Sequence, residues 1–122
     1  MFKSFLTLSL LTHSFALWSS TLVNLKSQNR VTILKVVENF EEGIIQEMRQ
    51  GKIVESCMKI SDAYHASIEL ETLMKKDLYP LKGQLLSLKT DCSNLDLVKL
   101  DELYLKQISR HLALAQETFK KI

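Results

Sequence analysis

Apolar side chains recur along this chain at steps of three and four residues, the period of helices that bury one face. Ile33, Val37, Phe40, Ile44 and Met48 form the first such series, with Glu38, Glu41, Glu42 and Glu47 on the other face. Leu22 and Leu25 open this element, Ser19-Ser20 offer N-caps for a start near Thr21, and the face thins at Gln28-Asn29-Arg30. The β-branched run 31–37 has strand propensity, but the helical period sustained beyond it decides for helix. Gly43 lies inside the pattern at a cost of about 1 kcal/mol against Ala, which marks a candidate close helix contact. Gly51 is placed to end the element as a C-cap.

A second helix is predicted over Ile53–Lys76, its apolar surface supplied by residues such as Ile53, Cys57, Ile60, Ala63, Tyr64 and Leu70. Asp77-Leu78-Tyr79-Pro80 reads as a turn, because proline disfavours a helical residue before it and suits the first position of a new helix. Leu81, Leu85 and Leu88 then predict a short third helix from Pro80 to about Lys89. Residues 89–94 are polar and loop-like, with Ser93 or Asn94 as the next cap. The last helix carries Val98, Leu105, Ile108, Leu112, Ala115, Phe119 and Ile122 at three/four spacing. Short connections favour antiparallel neighbours. The expected fold is therefore all-α: an antiparallel up-down-up-down four-helix bundle with a short third helix.

Composition adjusts this picture at the N-terminus. Lys3 precedes an apolar run over 5–16, and Ser14-Phe15-Ala16 places small residues at −3 and −1 of a cleavage site. The run is shorter than the roughly 20 apolar residues that span a bilayer. Arginine is absent before Arg30, against a mitochondrial transit peptide. Residues 1–16 read as a secretory signal peptide, leaving a helical-bundle domain over 17–122 that is secreted, with no membrane span after cleavage. In an oxidising compartment two cysteines pair, and the only connectivity is Cys57–Cys92. In the chain-entropy account such a bond is worth roughly 3–4 kcal/mol. Counted along straight helices, Cys92 falls about 10 Å short of Cys57. An extended stretch over 90–92 would cover the gap. No Asn-x-Ser/Thr sequon occurs.

Charge and motifs narrow the function. A formal net charge of +2, spread evenly with no run longer than a lysine pair, argues against nucleic acid as a partner. Asp62 and His65 have the acidic-x-x-His spacing of half a bundle metal site, but His111 has Ile108 three residues before it, so no second copy exists. Cys57 and His65 are separated by about 12 Å of helical rise, too far for a thiol–imidazole pair. No phosphate loop, serine elbow or CxxC motif is present. The chain is thus expected to be non-enzymatic, with no metal and no cofactor. On the last helix Leu100, Leu103 and Leu114 share a line about 135° from its buried stripe, with Gln107 and Arg110 between them. They form the candidate binding surface for another protein, or for self-association through an exposed helix face. Two other readings stay open. One is a carrier holding a small apolar ligand between Phe40, Tyr64, Leu85 and Leu112. The other is a structural subunit that retains its N-terminal segment.

Overall fold

The computed structural model describes residues 21–95 and 101–122, and among these every regular element is a helix. Helix α1 covers 21–37. A π-helical segment, Glu41–Ile45, leads directly into a short helix α2, Gln46–Arg49. Helices α3 (Ile53–Met74), α4 (Tyr79–Asn94) and α5 (Glu102–Lys120) follow. The expected signal peptide, and with it Val98 and Leu100, lies outside the described residues.

The first apolar series faces the core as its spacing requires. Ile33, Val37, Ile44 and Met48 are fully buried and Phe40 packs against them. Val36 and Ile45, which fall off the three/four steps, are equally buried. The reason is a register change. After Val37 the helix opens, and the Ile45 N–H bonds five residues back to the Phe40 carbonyl at 2.8 Å. That wider turn rotates the chain, so that adjacent residues share the inward face on each side of it. Gly43 sits in the π segment, and a Cβ there would meet nothing within 4 Å, so the expected close helix contact is not what Gly43 provides. Gly51 does end the element, with φ +85.

Helix α3 ends at Met74 and is closed by Lys75 in the left-handed conformation, φ 51. Its inward face combines Ile60 and Leu70 with the small residues Ser56, Ala63, Ala66 and Ser67, all buried. Ser56 and Ser67 satisfy their hydroxyls on the carbonyls of Lys52 and Tyr64. Leu78, buried in the connection, precedes α4. No side chain of α4's own first turn caps it. Asp77 in the connection and Glu71 of α3 do so instead: Asp77 Oδ1 accepts the Tyr79 N–H at 2.9 Å, and Glu71 accepts the Leu78 N–H and the Lys82 ammonium, each at 2.7 Å.

Helix α4 is longer than the sequence pattern predicts and runs through the residues expected to be a loop. Ser87, Thr90 and Ser93 each donate to the carbonyl four residues back, which lets hydroxyl residues sit inside a helix. Cys92 then extends the buried series Leu81, Leu85, Leu88 by one more turn. The Cys57–Cys92 disulfide forms between two helical residues with Cα atoms 5.6 Å apart, not through an extended stretch over 90–92. From Cys57 to Met74 α3 rises about 26 Å, and from Tyr79 to Cys92 α4 returns about 20 Å. Residues 75–78 make up the difference.

Helix α5 is capped by Asp101, whose carboxylate accepts the Tyr104 N–H at 2.7 Å, rather than by Ser93 or Asn94. Leu105, Ile108, Leu112 and Ala115 are buried, completing the core. Polar contacts run down its length against the first elements: Glu102 with Arg49, Ser109 with Glu41, and Gln116 with the Glu38 carbonyl.

Candidate functional site

Exposed apolar side chains occur at several places among the described residues, including Val23, Val31, Tyr79 and Leu86, and two outward surfaces combine more than one of them with a helical line or a groove. The first is the α5 line anticipated by the sequence. Leu103 is 81% exposed and Leu114 51% exposed, while Leu100 lies outside the described residues. Both leucines point away from the core, separated by about three helical turns. Exposed Gln107 and Arg110 occupy the positions between them.

The second surface was not anticipated. It lies on the α3–α4 hairpin, where a groove of ≈ 270 Å³ runs beside the disulfide between Val54, Met58 and Ser61 on one side and Lys89 and Ser93 on the other. Val54 is 67% exposed and Met58 61%, both in the first two turns of α3. Lys89 lies over the Tyr64 ring at 5.3 Å from its centroid, and Tyr64 in turn packs on the His65 ring. No carboxylate among the described residues pairs with Lys89. By contrast Lys59 holds Glu47 at 2.6 Å and Lys82 holds Glu71. The hydrogen bond from Lys59 is the main reason the Glu47 carboxyl titrates below its usual range, and that from Lys82 does the same for Glu71. The signal for this groove is present in the sequence as a second apolar spacing on α3, masked by the stronger core stripe beside it.

Titratable groups also meet at the α4–α5 junction. Asp91 receives the Tyr104 hydroxyl on its carbonyl at 2.7 Å, and its carboxylate lies 3.1 Å from His111 Nδ1. Burial, and then the Asp91 charge, push the Tyr104 phenol up. The arrangement fastens two helices. No nucleophile is within the set, since Ser109 is bonded to Glu41 on another side of α5. Among the described residues no group of three His, Cys, Asp or Glu side chains could hold a metal ion, and Asp62, His65 and Glu69 are all exposed.

The four residues of the carrier reading lie at different depths. Leu85 and Leu112 are sealed in the packed core, while Phe40 and Tyr64 are half-buried at its margin. None of the described helices is long and apolar enough to cross a membrane. Comparison with protein-family models, with curated proteins and with solved structures returns no match.

Proposed function

We propose that this is a small exported helical-bundle protein that acts by binding another protein, without catalysis. In this reading residues 21–49 count as one interrupted helix, and the bundle runs up-down-up-down through α3, α4 and α5. Export is supported by the apolar run over 5–16 ending in Ser14-Phe15-Ala16, and the Cys57–Cys92 bond is compatible with an oxidising compartment. The observation that carries the binding role is Leu103, whose side chain is 81% exposed on the outer line of α5 with Leu114 along the same line. A helix face of this kind gains most when another apolar surface covers it.

Two measurements test the reading. Intact mass of the protein from its native host should begin at Leu17 and rise by two hydrogens on reduction. A full-length mass with two free thiols would remove the export argument and favour a structural subunit that keeps its N-terminal segment. The Leu103→Ser/Leu114→Ser double variant should melt within about 2 °C of the parent, because exposed positions contribute little to stability. It should lose association with the extracellular partner, or self-association read by light scattering. Unfolding of the variant would instead make these leucines part of the core.

A further inference from the structure

Helix α3 carries a second seam on its outer side. Val54, Met58, Ser61, His65, Ile68 and Thr72 follow one another at steps of four and three along the helix. All are uncharged apart from the titratable His65, and Val54, Met58 and Ile68 are exposed at 67%, 61% and 38%. This is the spacing with which one helix meets another side by side. It extends over about 27 Å, the length of five helical turns. One border of the seam carries acidic residues: Glu55, Asp62 and Glu69 recur every seven residues, all exposed, and none of the three forms an ion pair with a described residue, while Lys35 and Lys59 line a pocket together with Asp62. The opposite border, across the groove, carries Lys89, which lacks a carboxylate partner among the described residues.

We propose that the α3–α4 groove is a docking site for an amphipathic helix of another protein, one with an apolar three/four seam and a basic edge. The apolar floor beside the disulfide takes the partner's seam. The basic edge lies along Glu55, Asp62 and Glu69. The α3 seam of a second copy of this chain supplies no basic edge, and antiparallel pairing of two α3 helices would set the acidic borders against each other. The site is separate from the α5 line: α3 packs against α4 and α2, whereas α5 packs against α4 and the π segment. The inference therefore holds or fails independently of the α5 leucines.

The test uses the full bundle with its disulfide intact and three synthetic helical peptides of three heptads each. One has leucine at the seam and lysine at the flanks, one replaces the flanking lysines by glutamate, and one scrambles the first. Binding is followed by fluorescence anisotropy at low and at physiological salt. The lysine-flanked peptide should bind saturably at one per chain and clearly more tightly than either control. Reversal of the acidic border in Glu55→Lys/Asp62→Lys/Glu69→Lys should weaken it about tenfold, the sum of three modest charge contacts, and shift preference to the glutamate-flanked peptide. Met58→Glu should abolish binding of every peptide, while Lys89→Glu should tighten the lysine-flanked one. All substituted positions except half-buried Lys89 are exposed, and circular dichroism checks that each variant stays folded. Binding by none of the peptides, equal binding of the ordered and scrambled sequences, or indifference to the border reversal would overturn the proposal.

Discussion

At the scale of single residues, two glycines in similar positions along the first segment have opposite roles. Gly51 occupies φ +85, a conformation that side-chain-bearing residues adopt at a cost of roughly 1–2 kcal/mol. Gly43 sits in a helical conformation with open space where a Cβ would be. Gly43→Ala should thus stabilise the protein by about 0.5–1 kcal/mol through the lower entropy of the unfolded chain, and Gly51→Ala should destabilise it by roughly 1 kcal/mol or more. Urea midpoints of the two variants check both signs at once. Stabilisation by Gly51→Ala would mean that the left-handed turn is not maintained in solution. The sequence pattern located Gly51 correctly as a terminator, because the apolar period stops beside it. It could not reveal Gly43's surroundings, since a glycine within a helical pattern looks the same whether a neighbour presses on it or not.

At the scale of elements, the helices could be read from spacing, and the departures have identifiable causes. The end of α4 was hidden by Thr90, Asp91, Ser93 and Asn94, which resemble a loop in composition. Counting Cys92 as apolar after Leu81, Leu85 and Leu88 extends the helix, because the steps of four, three and four keep the helical period. The π segment was hidden for a different reason. A three/four pattern marks one face and passes over the extra residue that turns Val36 and Ile45 inward too. The outer seam of α3 was obscured because Ser61, His65 and Thr72 interrupt its apolar residues Val54, Met58 and Ile68, leaving the core stripe as the stronger signal. The disulfide is legible in the sequence because two cysteines allow one pairing. It joins the open end of the α3–α4 hairpin opposite the 75–78 connection and closes a loop with a sequence separation of 35. Replacing both cysteines by alanine should therefore cost about 3–4 kcal/mol, chiefly by freeing the unfolded chain. Chemical denaturation of the double variant against the parent measures this. An unchanged midpoint would show that packing of Leu85 and Ile60 alone holds the hairpin.

At the scale of the whole molecule, the electrostatic balance determines how the fold responds to acid. The chain has 16 basic and 14 acidic side chains with three histidines, so protonating carboxylates turns a near-neutral surface strongly positive. Self-repulsion then adds to the loss of specific contacts. The specific contacts with a resolved direction are Glu47 and Glu71, both held below the ordinary carboxyl value of 4.5, chiefly by hydrogen bonds from Lys59 and Lys82. A carboxyl whose folded value is depressed stabilises the protein fully above its unfolded value and ceases to do so as pH falls through the folded one. Melting temperature should accordingly be flat in the contribution of these groups above about pH 5.5 and should decline below about pH 4.5. Lys82, held above its ordinary value by Glu71, works in the other direction and loses its contribution as pH rises beyond 10.5. Glu71 matters more than its exposure suggests, because it also accepts the Leu78 N–H and so shares with Asp77 the capping of the start of α4. Glu71→Gln should therefore melt below the parent at pH 7 and show a shallower acid decline, the two curves converging as the parent's carboxyl is protonated. Parallel curves from pH 7 to pH 3 would assign the acid sensitivity to general charge repulsion and leave Glu71 with its capping role alone.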